Sequence, residues 1–183
     1  MSFDAVVLAG GGARRLGGVD KAAIEIGGVS LLDRALGAAR GAERLIAVGP
    51  RRSTSVPVRW TSENPAGGGP LRATEAGVEL VTSDIAVVLA VDYPFVTSEV
   101  VAALVRATQA RDGAALEDAT GVMHYVVGAY RTTALRAAIA AQRGEGSSMR
   151  SLFPTLDVAA VRHERAALDI DTREDLERAR ALL

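Results

Sequence analysis

Cysteine is absent from the 183-residue chain, which excludes disulfides, thiolate metal sites and cysteine nucleophiles. Aromatic residues make up only 4% of the sequence, too few for the stacking platform that binds single-stranded nucleic acid. Charge of one sign is not in excess either, since 21 basic and 22 acidic residues give a net charge of −1. We therefore expect no attraction to nucleic acid or to an anionic membrane surface through the overall field.

Long apolar segments are lacking as well. The longest stretch without a charged residue covers residues 119–130, well short of the roughly 20 residues of a membrane-spanning helix. The N-terminal residues lack the basic segment of a signal peptide and include Asp4. A domain averages about 150 residues, so we expect one soluble, cytoplasmic domain over residues 1–183.

The hydrophobic pattern alternates short apolar runs with longer amphipathic segments, which is typical of β-α units on a parallel sheet. Strands are predicted at residues 3–9, 45–48, 56–61, 85–91, 122–130 and 156–162. Helices are predicted at residues 30–42, 71–81, 97–111, 133–142, 147–153 and from 172 onward. This order indicates a three-layer α/β sandwich, a class in which ligands bind beyond the carboxyl ends of the strands.

A glycine-rich segment follows the first predicted strand. Gly10–Gly12 can bring the backbone close to a ligand and turn its N–H groups inward, and Arg14, Arg15 and Lys21 add positive charge. The segment is not a Walker A loop, because no Gly-Lys-Ser/Thr follows. Lys21 is the only lysine of the chain. Its ammonium is a compact point charge, whereas arginine carries a planar, forked guanidinium. Phosphate binding is the favoured interpretation, and a flexible turn with solvated arginines is the alternative.

Acidic side chains follow two other predicted strands. Asp92 ends the most apolar strand, with Pro94 restricting the turn after it, and its carboxylate suits Mg²⁺ shared with substrate phosphates. Asp169 and Asp171 alternate before the last helix; one can complete the metal site with Asp92, although helix capping explains such residues equally well. His124 either points into the cleft or lies at a sheet edge.

These motifs resemble those of a known family. The segment LAGGGARRLGGVDK at residues 8–21 resembles the opening signature of the nucleotidyltransferase family that includes molybdenum cofactor guanylyltransferase. Later segments match in the same order, namely GGPL at 68–71, VDYPF at 91–95, GAYRT at 128–132, GEGSSMRSL at 144–152 and LDIDT at 168–172. The first motif alone indicates only a nucleotidyltransferase, whereas the ordered set favours the guanylyltransferase.

The resemblance implies a Rossmann-like, mostly parallel sheet and a set of nucleotide-binding residues. The backbone of Leu8, Ala9, Gly10 and Gly11 would hold GTP, and Lys21 would contact the triphosphate. An acidic or amide group before GGPL would assist guanosine binding, and this position is either Glu63 or Asn64. Asp92 would bind Mg²⁺, and Arg15 and Lys21 would stabilise the leaving pyrophosphate. From its position in the sequence rather than from the resemblance, Asp171 is the candidate second metal ligand.

The resemblance also implies a reaction. GMP would pass from GTP to the terminal phosphate of molybdopterin, with release of pyrophosphate. Asp169 and Asp171 replace the asparagines of the family's closing motif, which would either strengthen metal binding or alter contact with the acceptor. Asp169 and His124 are the candidates for acceptor binding. Contacts with the enzymes that make or receive the cofactor would be transient. The alternatives are a transferase that uses CTP or a sugar phosphate, and a nucleotide-binding module without catalysis.

Overall fold

The computed structural model describes residues 1–10, 12–13, 18–64, 67–142 and 148–183. A seven-stranded sheet runs through it in the order β7-β5-β6-β4-β1-β2-β3. The strands are β1 (Phe3–Leu8), β2 (Arg44–Val48), β3 (Arg59–Thr61), β4 (Ile85–Ala90), β5 (Gly113–Glu117), β6 (Met123–Arg131) and β7 (Val158–Arg162). All run in one direction except β6, which is antiparallel to both of its neighbours. The predicted mostly parallel α/β sheet is therefore confirmed.

Helices connect these strands. They are α1 (Leu31–Ala38), α2 (Gly69–Val78), α3 (Ser98–Ala107), α4 (Thr132–Ala141) and α5 (Arg173–Ala181), with 3-10 turns at Lys21–Ala23, Thr108–Ala110, Met149–Thr155 and Arg165–Ala167. Two-residue strands pair Gly12–Ala13 with Val19–Asp20 and Glu25–Ile26 with Val29–Ser30. Within the described ranges, no helix has the length and apolar character needed to cross a membrane.

The side chains of the central strands alternate between two apolar layers, as the twofold period of a strand requires. Ala5 and Val7 of β1 face the side covered by α1 and α3. Val6 and Leu8 face the opposite side, where α2 and α4 pack. Both layers are buried, so the sheet is the middle layer of the predicted sandwich.

The amino end of the sheet is held by a buried carboxylate. Asp4 is fully buried, and its Oδ2 accepts hydrogen bonds from the backbone N–H of Thr82 at 2.7 Å and of Ser83 at 3.1 Å. Burial raises the pKa of Asp4, but these hydrogen bonds outweigh it and place the pKa below its usual value. Asp4 lies at the opposite end of β1 from Leu8 and the glycine-rich segment.

Several predicted boundaries differ from the structure. The sequence pattern does not predict strand β5, because Gly-Ala-Ala-Leu-Glu is short and poor in β-branched residues; pairing with β6 and β7 on its two sides forms it. The predicted strand at 56–61 begins only at Arg59. Helix α2 begins at Gly69 rather than residue 71, because Pro70 is well suited to a first helical turn. The helix predicted at 147–153 is, in its described part, a 3-10 turn that includes Pro154.

Candidate active site

The glycine-rich segment and Asp92 leave the sheet side by side. Leu8 at the end of β1 lies opposite Ala90 of β4 on one side and Val48 of β2 on the other. The chain beyond β1 is tied down, since the N–H of Ala9 donates to the carbonyl of Val48 at 2.9 Å. Leu8, Ala9 and the start of the glycine-rich segment therefore lie at the carboxyl edge of the sheet, next to the strand that Asp92 follows.

Lys21 returns to this edge from the far side of the glycine-rich segment. It begins a 3-10 turn that Asp20 caps by accepting from the N–H of Ala22 at 3.2 Å. The Arg52 guanidinium holds Asp20 through Nε at 2.5 Å and Nη2 at 2.7 Å. This bracing directs the Lys21 ammonium toward the carboxylates of Asp92, 3.3 Å away at Oδ2, and Asp171, 2.9 Å away at Oδ1.

Asp171 reaches the site through backbone pairing and capping. The N–H of Ile170 donates to the carbonyl of Asp92 at 2.9 Å, and the Ile170 side chain is buried in the core. Thr172 then forms a capping box with Asp175 at the start of α5, as its Thr-x-x-Asp pattern indicates. Asp175 therefore caps the helix, which leaves the Asp171 carboxylate paired with Lys21.

The site holds more negative than positive charge among its described residues. Burial raises the pKa of Asp92, and the nearby Lys21 ammonium opposes this rise only in part. Burial lowers the pKa of Lys21, but the charges and hydrogen bonds of Asp92 and Asp171 together raise it above its usual value. Burial and the charge of Asp171 raise the pKa of Asp169. One ammonium paired with the two carboxylates of Asp92 and Asp171 leaves this part of the site able to attract a further cation.

The Asp92 carboxylate has an unused oxygen. Its Oδ1 is buried and accepts no hydrogen bond from any residue that the structure describes. A buried oxygen without a partner is costly, and a cation or a ligand donor would satisfy it. No cluster of three or more histidine, aspartate or glutamate ligands is present in the described ranges.

Gly49, which follows β2, lies close to the start of the glycine-rich segment. Gly49 has φ = +138°, and a Cβ at this position would lie 2.8 Å from the backbone nitrogen of Gly10. A side chain at Gly49 would therefore push against the start of that segment. Gly49 is not among the predicted site residues, and the Gly-Pro pair after a predicted strand is the sequence signal that could have indicated it.

Glu63 and Asn64 have different environments. Glu63 Oε1 accepts a hydrogen bond from the N–H of Gly67 at 2.8 Å, and its Oε2 is buried without a partner in the described residues. Asn64 is exposed. Glu63 is thus positioned just before α2, with one acceptor oxygen that no described residue contacts through a hydrogen bond.

His124 contacts two residues that are not among the predicted site residues. Its Nδ1 lies 3.0 Å from the Tyr93 hydroxyl, and its Nε2 lies 3.4 Å from Asp118 Oδ2. Because β6 is antiparallel to β4, the start of β6 is brought beside the turn after β4. The position of Tyr93 next to Asp92 was a usable sequence signal, whereas no sequence signal indicates Asp118.

The structure thus brings Lys21, Asp92 and Asp171 into contact at the edge where Leu8, Ala9 and Gly10 lie. Gly11 and Arg15 fall outside the described residues. The binding roles assigned to all of these residues stay predictions.

Known proteins resemble this chain in sequence and in fold. A model of the MobA-like NTP transferase domain matches residues 5–163. Molybdenum cofactor guanylyltransferase of Shewanella sp. (strain ANA-3) is 28% identical over 117 residues, 61% of this chain and 59% of the relative. The chain spans only about three fifths of the length of the curated relatives it matches.

Two solved structures share the fold over nearly their whole length. One is molybdopterin-guanine dinucleotide biosynthesis protein A from Archaeoglobus fulgidus, with a TM-score of 0.78, 20% identity, and coverage of 98% of this chain and 97% of that one. The other is 2-C-methyl-D-erythritol 4-phosphate cytidylyltransferase from Thermus thermophilus, with a TM-score of 0.79, 22% identity, and coverage of 100% and 98%. By its family match, the chain belongs to the MobA-like NTP transferase domains.

Proposed function

We propose that the chain transfers GMP from GTP to the terminal phosphate of molybdopterin and releases pyrophosphate. The contact of Lys21 with Asp92 and Asp171, at the edge where the glycine-rich segment begins, carries the proposal. The guanylyltransferase name of the Shewanella relative supports this choice of substrates. The shared cytidylyltransferase fold makes CTP the main alternative nucleotide.

The reaction needs no nucleophile from the protein. An oxygen of the acceptor phosphate forms a bond to the α-phosphorus of GTP, and the bond from that phosphorus to the bridging oxygen breaks. The electron pair of the broken bond leaves with pyrophosphate. Because the attacking phosphate is already anionic, the protein contributes positioning and charge neutralisation.

The residues at the sheet edge suit these two tasks. The backbone at Leu8, Ala9 and Gly10 would hold the nucleotide, as phosphate-binding backbone after a first strand does elsewhere. Lys21 would place a compact positive charge at the triphosphate and stabilise the charge that grows on pyrophosphate. Arg15, which follows the glycines in the sequence, is proposed to assist.

The carboxylates fit Mg²⁺. Asp92 offers a buried oxygen without a partner among the described residues, and Asp171 offers a second carboxylate close to the same ammonium. Mg²⁺ favours oxygen ligands and commonly combines one or two carboxylates with substrate phosphates and water, which agrees with the small number of protein ligands in the described part of the site. When bound, the ion would supply charge neutralisation at the phosphates.

Glu63 is proposed to read the base. Guanine presents N–H donors on its Watson–Crick edge, and Oε2 of Glu63, which has no partner among the described residues, is an acceptor. The cytosine ring presents fewer donors on this edge. The exposed Asn64 has no comparable support.

Pyrophosphate release with molybdopterin, measured separately with GTP, CTP, ATP and UTP, tests the proposal. Release with GTP alone is expected, together with a rise in melting temperature when GTP and Mg²⁺ are added. Equal rates with CTP would refute the guanine assignment, and release with a sugar phosphate in place of molybdopterin would refute the acceptor. Nucleotide binding without release in every combination would support the non-catalytic module.

The variant Glu63→Gln provides a test of base selection. It keeps the size of the side chain and one acceptor oxygen, but it introduces a donor at the base. We expect the preference for GTP over CTP to fall by about tenfold. Glu79→Gln, a change at the end of α2, is the matched control and should leave the preference unchanged.

A further inference from the structure

Tyr93, His124 and Asp118 form a chain of side-chain hydrogen bonds beside the carboxylate site. The Tyr93 hydroxyl lies 3.0 Å from His124 Nδ1, and His124 Nε2 lies 3.4 Å from Asp118 Oδ2. The rings of Tyr93 and His124 meet edge to face, with centroids 5.5 Å apart and planes at 76°. The hydrogen-bond chain therefore connects the turn after β4 to the connection between β5 and β6.

The far end of this hydrogen-bond chain is a firmly held carboxylate. Asp118 Oδ1 accepts hydrogen bonds from the N–H of Thr120 at 2.8 Å, the hydroxyl of Thr120 at 2.7 Å and the N–H of Val122 at 2.9 Å. The hydrogen bonds from Thr120 and Val122 lower the pKa of Asp118. Asp118 is thus an ionised carboxylate, which can only accept hydrogen bonds.

The two ends of the hydrogen-bond chain fix the proton positions on the imidazole. Because Asp118 only accepts, the hydrogen atom of neutral His124 lies on Nε2. Nδ1 then carries no hydrogen and accepts from the hydroxyl of Tyr93, which lies 3.0 Å away and has a proton to donate. Both ring nitrogens of His124 are consequently engaged within the protein, and neither is left for a substrate.

We propose that His124 is a positioning residue, which fixes the turn carrying Asp92 by holding the Tyr93 side chain, and that it does not bind the acceptor. Tyr93 directly follows Asp92 and is almost fully buried, at 8% exposure, so the anchoring of its ring restricts the peptide that carries the carboxylate. Pro94 restricts the same turn from the other side. The kinetic test of this role rests on the proposed function, whereas the hydrogen-bond chain can be tested without it.

The hydrogen-bond chain is tested by nitrogen NMR of the two imidazoles, without any substrate. The sequence contains only two histidines, and the variant His163→Gln assigns their signals. In the neutral state we expect His124 to carry its hydrogen on Nε2, and Tyr93→Phe to shift its Nδ1 signal. Tautomers averaged as in free imidazole, with no response to Tyr93→Phe, would overturn the proposal.

The positioning role is tested by steady-state kinetics of Tyr93→Phe, His124→Leu and the double variant. We expect each single change to lower kcat about fivefold, the effect of one hydrogen bond, with KM for nucleotide and acceptor unchanged. The double variant should lose no more than either single one, because both remove the same connection. Tyr125→Phe removes a hydroxyl from the same strand as His124 and should retain the parental kcat.

A different kinetic pattern would overturn the proposal. If His124 bound the acceptor, His124→Leu would raise the acceptor KM while Tyr93→Phe left both constants unchanged. A parent protein that releases no pyrophosphate with any nucleotide would refute the proposed function instead. The positioning role could then still be decided by the NMR result and by the affinity of the protein for Mn²⁺. We expect Tyr93→Phe to weaken Mn²⁺ binding, because it would disorder Asp92.

Discussion

Replacing Lys21 with methionine separates two roles of this residue. The Lys21 ammonium lies between Asp92 and Asp171, where a divalent cation would also be attracted. We therefore predict opposite effects of Lys21→Met. Turnover should fall, because the triphosphate loses a positive charge, while Mn²⁺ should bind the nucleotide-free protein more tightly than it binds the parent.

The size of the second effect follows from the geometry. Two unit charges about 4 Å apart attract by about 4 kcal/mol at the effective dielectric constant near a protein surface. Here the separations are 2.9 and 3.3 Å, but the Asp171 side chain is 50% exposed and the Lys21 side chain 17%, so solvent screening reduces the attraction to about 1–2 kcal/mol. In the variant, a divalent ion does not have to displace the ammonium. The saving of about 1–2 kcal/mol corresponds to a roughly tenfold gain in the affinity for Mn²⁺.

The assay is calorimetric titration of Mn²⁺ into the protein without nucleotide, alongside pyrophosphate release at saturating GTP and Mg²⁺. Turnover should fall on the order of 10²-fold, as it does when one charge-stabilising group is removed. Lys21→Arg keeps the charge, so Mn²⁺ affinity should stay near the parental value while turnover falls, because a guanidinium fork does not reproduce a compact ammonium.

A matched control is Arg111→Met, which removes the cation of the exposed Arg111–Asp157 pair and should change neither measurement. Equal Mn²⁺ affinity in the parent and Lys21→Met would refute the reasoning, since the ammonium would then not compete with a metal. Parental turnover in Lys21→Arg would show that the compact shape of the charge is unimportant.

Three further predictions concern other parts of the chain. Asp92→Asn should lower turnover on the order of 10²-fold or more; a parental rate across a Mg²⁺ titration of pyrophosphate release would exclude Asp92 as a metal ligand. Gly49→Ala should weaken GTP binding in a thermal-shift titration and destabilise the fold by about 1–3 kcal/mol, whereas Gly37→Ala in α1, where a Cβ meets open space, should stabilise it by up to about 1 kcal/mol. Asp4→Asn should cost about 1–3 kcal/mol at neutral pH. Because the folded pKa of Asp4 lies below its unfolded value of 3.8, its stabilisation is present above pH 3.8 and is lost as pH falls through the folded pKa, so denaturant unfolding should show the two proteins converging in acid.

The central part of the fold is predictable because its local pattern and its tertiary environment agree. The apolar run before Asp92 forms β4, and the capping residues Ser30 and Thr172 begin α1 and α5. Strand β5 is not predictable in this way because its alanines carry no local strand preference, and only its pairing with β6 and β7 makes it a strand. The antiparallel direction of β6 likewise depends on the packing of the whole sheet.

The candidate site, like the fold, was predictable from the sequence only in part. Glycines after a strand and a carboxylate after an apolar strand indicate phosphate and metal chemistry, because these chemistries require those residue types at strand ends. The predicted single domain and the binding roles of the individual residues stay predictions. The proposed preference for Glu63 over Asn64, by contrast, rests on the burial and hydrogen bonds of the two side chains in the structure.

The sequence by itself determined the α/β pattern, the family motifs and the charged residues that are candidates for nucleotide and metal binding. Only the tertiary structure decided that Lys21 lies against both Asp92 and Asp171, and that Asp118 and Tyr93 engage the two nitrogens of His124. The physical reason is that periodicity and propensity act over a few neighbouring residues, whereas these contacts join segments distant in the chain. Strand order and direction bring such segments together.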